Sequence, residues 1–253
     1  MKRQKYDLIF SIGGACSCAQ GLRDAELQVF SYPMDWLFGS DFSGRVDIVC
    51  NKFERFLDKS DLEYVFSERS IKCDAYHNKF NDLTFNHDFP TGVPLSESYD
   101  MVAQKYDRRI SRLLEQIEKS EHILLVYLEI PETTEQTSDK QIIKCANKLR
   151  KVYSNCKIDI LYITYKPEMA RGIIEENILD NGVLRLYGNY RNKNPETPSY
   201  AVDTRFVRDM LRKYAKLKQP LYKIIRKRLL RFIIQLIPNH NVRVNLRKKW
   251  HLK

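Results

Sequence analysis

The sequence predicts an α/β fold: an open, mostly parallel sheet with helices on both faces, followed by basic amphipathic helices at the C-terminus. Three observations carry that expectation. Short apolar runs at 6–12, 122–128, 158–164 and 184–187 have the length and residue types of buried strands. Segments with apolar residues at helical spacing alternate with them and are long enough to act as crossover connections. The chain has 253 residues, enough for a sizeable core, and its six cysteines (16, 18, 50, 73, 145 and 156) form no small-domain disulfide framework.

The elements follow in order. The run Asp7-Leu8-Ile9-Phe10-Ser11-Ile12 reads as a strand, broken by Gly13-Gly14, and a short helix is expected over 16–25. An apolar piece at 27–32 leads into a structured loop, Pro33-Met34-Asp35-Trp36. Val46, Val49, Phe53, Phe56 and Leu57 recur at helical spacing and predict a helix over 45–58. Residues 60–95 are β-like and loop-rich, with 83–89 the clearest strand, closed by Pro90. A long helix at 97–119, with Ile110, Leu113, Leu114 and Ile117 on one face, feeds the strand 122–128. A helix at 139–154 feeds the strand 158–164, a short strand occupies 184–187, and a polar loop 188–199 precedes helices at 203–217 and 221–236. The expected organisation is an α/β domain over 1–200 and a basic helical tail over 201–253.

Charge divides the chain in the same way. After Asp209 there is no acidic residue, and 14 of the 43 Lys and Arg lie from Arg212 onward, leaving 29 basic against 32 acidic residues before them. The net charge of +11 therefore belongs to the tail. Leu221, Ile225, Leu229, Phe232 and Leu236 form an apolar stripe, with Lys223, Lys227 and Arg231 on another. Such a helix suits an anionic membrane surface, or else docks on the body of the protein. No nucleic-acid-reading module accompanies the basic residues, so no nucleic-acid partner is expected. No stretch approaches the roughly 20 apolar residues that span a bilayer. Lys2, Arg3 and Lys5 before an apolar run and a cysteine outline a lipoprotein signal, but Asp7 interrupts it and the run is short. The expected location is cytoplasmic, peripheral at the inner face of the membrane.

Cys16 is the leading candidate for chemistry. It follows a strand and a glycine pair where a helix begins, and free N–H groups and the macrodipole at a helix N-terminus favour a thiolate. In open parallel sheets ligands bind beyond the carboxyl ends of the strands, which is where Cys16 falls. Gly13 and Gly14 would leave room for substrate beside the backbone, with Ser11 just before them. The alternative is a buried, inert cysteine in a strand-to-helix turn. Cys16-x-Cys18 lacks the CxxC spacing of a zinc or redox site, and no metal is expected.

A thiol nucleophile needs a proton acceptor, and His87, within Phe85-Asn86-His87-Asp88-Phe89, is the strongest of five histidines. Asp88 points to the opposite face if the strand is regular, so Asn86, Asp35 or a backbone carbonyl could orient the imidazole instead. The plain alternative is a histidine that satisfies a loop hydrogen bond. Arg108, Arg109 and Arg112 are three to four positions apart on a helix and could grip a phosphate or carboxylate, or form a solvated face.

The motifs Ser11-Ile-Gly-Gly-Ala-Cys16, Ser31-Tyr-Pro-Met-Asp35-Trp36, His87-Asp88-Phe89 and Tyr106-Asp-Arg-Arg109 occur in an order that resembles a bacterial family of papain-like cysteine peptidases, over roughly residues 6–165. The resemblance implies Cys16 as nucleophile, His87 as base and an acidic partner from Asp88 or Asp35. The strand, glycine turn and cysteine also resemble a capsule-biosynthesis acyltransferase type whose cysteine site binds coenzyme A, the one cofactor this raises. Basic aliphatic tails of this kind resemble those of peripheral enzymes acting on lipid-linked glycans, which implies surface polysaccharide or lipopolysaccharide biosynthesis and a glycan, peptide or acyl substrate. A glycan transferase without a cysteine nucleophile and a non-catalytic membrane adaptor remain alternatives.

Overall fold

Leu8, Ile9, Phe10 and Ser11 are all buried, as a strand covered on both faces requires. The computed structural model describes residues 3–68, 72–131, 136–194, 196–198 and 200–218, together with 229, 230, 232–235, 237, 238, 242 and 243. Two units divide the chain, Met1–Leu217 and Lys218–Lys253. The helix expected over 221–236 lies for the most part outside the described residues. None of the helices among the described residues is long and apolar enough to cross a membrane.

In the first unit the elements run β1 (Gln4–Tyr6), β2 (Leu8–Ser11), α1 (Cys16–Asp24), β3 (Leu37–Gly39), α2 (Phe42–Cys50), β4 (Leu62–Glu68), β5 (Cys73–Asn78) and β6 (Leu83–Pro90). They continue with α3 (Leu95–Glu118), β7 (His122–Leu128), α4 (Asp139–Val152), β8 (Lys157–Tyr165), β9 (Glu175–Asp180), β10 (Val183–Gly188), α5 (Thr204–Tyr214) and β11 (Ala215–Leu217). The main sheet has the order β2-β7-β8-β10-β9. Its first four strands are parallel, and β9 is antiparallel to β10. Alternation along these strands sorts side chains onto two faces. Phe10, Leu125, Ile160 and Tyr162 pack with α2, α3 and α4 on one face. Ile9, Leu124, Val126, Leu161 and Leu186 pack with α1 and α5 on the other. The expected open sheet with helices on both faces is what the chain builds.

β3, which precedes α2, joins the three strands between α2 and α3 in a second, antiparallel sheet of order β3-β6-β5-β4. It carries His87 on β6 and places Trp36 just before β3. The helix expected over 45–58 ends at Cys50, because Lys52, Phe53 and Arg55 turn to positive φ (54°, 65° and 52°). Phe53, Phe56 and Leu57 are buried all the same, so their spacing reported burial and not helix. The body also extends beyond residue 200. There α5 packs on α1, and β11 pairs in parallel with β1.

Helix starts differ in a way that matters for Cys16. Asp41, Ser138 and Asp203 cap α2, α4 and α5 by accepting main-chain N–H groups, whereas Ala15 offers α1 no capping side chain. The first N–H groups of α1 are left for the Cys16 sulfur or a ligand.

The closest approach of α1 to α5 runs through Gly21, where an added Cβ would lie 2.8 Å from Val207 Cγ1. Gly21→Ala should cost about 1–3 kcal/mol in urea unfolding. In a Val207→Ala background, where that methyl is gone, the same change should cost less than half as much; equal costs in the two backgrounds would contradict this packing.

Candidate active site

The loop that presents Cys16 is built from inside. Ile12 N–H donates to Val126 O at 3.0 Å, Gly13 N–H to Ser11 Oγ at 3.1 Å and Gly14 N–H to Leu128 O at 3.3 Å, so the turn stays stitched to β7 after β2 ends. Its carbonyls face Arg45, which is fully buried. The Arg45 guanidinium donates to Gly13 O (2.6 Å), Gly39 O (2.7 Å), Leu37 O (3.0 Å), Ser40 O (3.1 Å) and Gly14 O (3.4 Å). It makes no ion pair among the described residues, and burial holds its pKa below the usual arginine value.

Ser11, Gly13 and Gly14 are the residues of this turn expected to contact substrate. All three are buried. A Cβ on Gly13 would lie 2.3 Å from Cys18 Cβ, and one on Gly14 would meet Ile130 Cγ1 at 3.3 Å. Their missing side chains make room for the protein's own packing.

Cys16 opens α1 and is half-buried. Burial pushes its thiol up from the ordinary value and outweighs the downward pull of the Cys16 and Ser17 N–H groups. The expected thiolate is thus not formed by the helix start alone. Cys18 is fully enclosed, donates to Val126 O at 3.5 Å and is pushed up to about 12 by desolvation. Of the two thiols at this turn, only Cys16 is within reach of a substrate.

Cys16, Gln20 and Arg23 share one face of α1, at i, i+4 and i+7. Arg23 lies over the Trp36 ring, 4.8 Å from its centroid, and His87 meets that ring edge-on with centroids 6.2 Å apart. Trp36 thus joins the cysteine-bearing helix to the histidine-bearing strand. His87 is exposed, and no hydrogen bond joins its ring to Cys16 Sγ. Asp88 faces away from His87, at the shift of β5–β6 register between Phe85 and Phe89: it pairs with Lys105 and accepts from Tyr106 Oη at 2.8 Å. It is committed to α3 and does not orient His87.

Asp35 is fully buried beneath this surface. Its Oδ2 accepts from Gln28 Nε2 (2.6 Å), Arg23 Nη2 (2.9 Å) and Tyr32 N–H (2.9 Å). Desolvation pushes its carboxyl up to about 6, against the opposing pull of the Tyr32 N–H, Arg23, Gln28 and Arg109. Among the described residues, Arg23 and Trp36 link Asp35 to His87. The three arginines of α3 are placed differently: Arg108 is exposed, Arg109 stands over the Tyr106 ring at 5.2 Å, and Arg112 lies over Phe30 at 4.9 Å.

Arg23 and Arg45 were not singled out by the sequence. Arg23 could have been, since it lies two helical turns from Cys16 on the same face. Arg45 gives no such signal. A small cleft lined by Tyr6, Asp159, Leu161, Leu184 and Tyr214 lies at the amino ends of the main-sheet strands, the edge opposite Cys16. No group of side chains among the described residues could hold a metal ion.

These features define an α/β protein with an accessible cysteine at a helix start beyond the carboxyl end of a parallel strand, and a histidine on a neighbouring antiparallel sheet. The chain belongs to the family described as "Putative papain-like cysteine peptidase (DUF1796)", which matches residues 7–167. That span holds Cys16, Arg23, Asp35, Trp36, His87 and Arg109 and ends before α5. No curated protein and no solved structure matches the chain.

Asp35 gives a pH test. Its carboxyl titrates at about 6 in the folded protein against 3.8 ordinarily, so its protonated form favours folding at low pH, and that contribution is lost as pH rises through about 6. The loss amounts to roughly 3 kcal/mol. Asp35→Asn should remove this decline from the pH dependence of urea unfolding between pH 4 and 7.5. An unchanged profile would show that Asp35 titrates normally.

Proposed function

We propose that the protein is a cysteine hydrolase or acyl-transfer enzyme in which Cys16 is the nucleophile and His87 the base. One observation carries the reading: the accessible thiol opens an uncapped helix whose same face leads through Arg23 and Trp36 to His87. The raised thiol pKa gives the base its task. A thiol that stays protonated at neutral pH must lose its proton as it attacks, and an exposed imidazole is free to swing into hydrogen-bond reach of the sulfur before substrate arrives.

The chemistry balances without a cofactor. His87 takes the Sγ proton as sulfur bonds to the acyl carbon. The bond to the leaving group then breaks, and the imidazolium returns its proton to that group. Water, or an acceptor hydroxyl in transfer, attacks the thioester with His87 again as base and frees the Cys16 thiol. The N–H groups of Cys16 and Ser17 are the available donors for the developing oxyanion. A peptide bond and an acyl ester both suit this sequence of steps.

Iodoacetamide labelling read by peptide mass spectrometry tests the pair. Cys16 should be labelled well before Cys18. His87→Ala should slow Cys16 labelling at pH 7 about tenfold or more and shift its rise toward alkaline pH, where the thiol ionises unaided. Equal rates with and without the imidazole would remove His87 from the mechanism.

A further inference from the structure

Segment 30–36 collects more positive charge than it neutralises. Arg23 donates to Ser31 Oγ and Asp35 Oδ2, both at 2.9 Å, and lies over Trp36. Arg112 covers Phe30, and its charge acts on Tyr32. Arg109 acts on Asp35 from across the Tyr106 ring. Among the described residues, Asp35 is the one carboxylate that any of these three guanidiniums pairs with, and it pairs with Arg23 alone. Asp88, the other acid of the motifs, is turned into Lys105 and Tyr106. One carboxylate faces three cations.

One orphaned atom agrees with this imbalance: Arg109 Nη1 is buried and has no acceptor. Leaving a buried guanidinium N–H unpaired costs free energy, and an acceptor brought from outside removes that cost. Each guanidinium also lies on an aromatic face, Trp36, Tyr106 or Phe30, which fixes its plane; Arg109 and Arg112 keep N–H groups for an oxyanion, and Arg23, whose Nη2 serves Ser31 and Asp35, keeps Nη1 and Nε. Val29 (59% exposed) and Phe30 (39% exposed) give the surface an apolar rim.

We infer that Arg23, Arg109 and Arg112 bind an anionic group of the substrate, a carboxylate or a phosphate, with Asp35 holding Arg23 in place. Calling that group a piece of the substrate rests on Cys16 being the nucleophile. The binding of an anion does not. Arg108, exposed on the same helix, takes no share in it. The substrate class is thus an acyl compound carrying a negative charge, its anion received about two helical turns along α1 from the sulfur, a distance of about 10 Å.

Thermal-shift and calorimetric titrations of the full chain with malonate and with inorganic phosphate, at constant ionic strength, test this. Saturable binding of at least one is expected, weakened about tenfold by Arg109→Gln. Arg205→Gln, an exposed position on α5, should leave it unchanged and so discount a general effect of losing one positive charge. Arg112→Gln should weaken it too, which guards against a folding defect particular to one variant. Stronger binding of malonate would assign a carboxylate, and stronger binding of phosphate a phosphoryl group. Absence of binding, or equal binding by the Arg109 and Arg205 variants, overturns the site. Cys16→Ala should bind these anions as the native chain does. Anion binding that persists in a chain whose Cys16 labelling ignores His87 would reject the nucleophile and keep the site.

Discussion

The buried Arg45 guanidinium is the constraint on which the rest of the structure depends. Taking a cation out of water is costly, and among the described residues no carboxylate pairs with this one, Asp82 and Asp41 acting on it only from a distance. Main-chain carbonyls offset the cost instead, from the Gly13-Gly14 turn, from Leu37 and Gly39 of β3, and from Ser40. Those carbonyls come from two different sheets. The turn continues β2 of the parallel sheet, and β3 pairs with β6 of the antiparallel one. A single side chain thus fixes the start of α1, where Cys16 sits, against the sheet that carries Trp36 and His87.

Asp35 has the complementary role in the neighbouring layer. Its three donors bring Arg23, Gln28 and the Tyr32 main chain to one oxygen, which sets the loop before Trp36 and the guanidinium above it. Neither hub need touch a substrate. Together they explain how a half-buried thiol, an aromatic ring and an exposed imidazole are presented on one surface while the thiol stays protonated at rest. Such a thiol is protected from adventitious alkylation and depends on its base for reactivity.

Much of the parallel core was legible in the sequence because burial and periodicity coincide there. The strand at 122–128 and the helix from Asp139 are found where alternation and helical spacing put them. The same logic failed at 51–58, where buried aromatics keep helical spacing through a left-handed turn that no hydrophobic pattern encodes. It passed over β9, whose exposed residues lack a strand's apolar signature. In the site, the outward His87 and inward Asp88 were not legible from alternation: His87 has the parity of the buried Leu83, Phe85 and Phe89, and a register shift between β5 and β6 reverses the expected faces. Nor were the roles of Ser11, Gly13 and Gly14: whether a glycine makes room for a ligand or for Cys18 depends on a neighbour the spacing cannot show. Arg45 was illegible for the same reason, since a charge in a short helix normally signals solvent, and its carbonyl partners come from other segments of the chain.

Replacing Arg45 with Met tests this account most directly, because it keeps much of the volume and removes every donor. The expected result is a loss of about 3 kcal/mol or more in urea unfolding, from several carbonyls left unpaired. Cys18, enclosed in the native turn, should also become open to iodoacetamide under conditions where the variant is still folded. A variant as stable as the native protein, with Cys18 still protected, would show that the turn and the two sheets are held by something else.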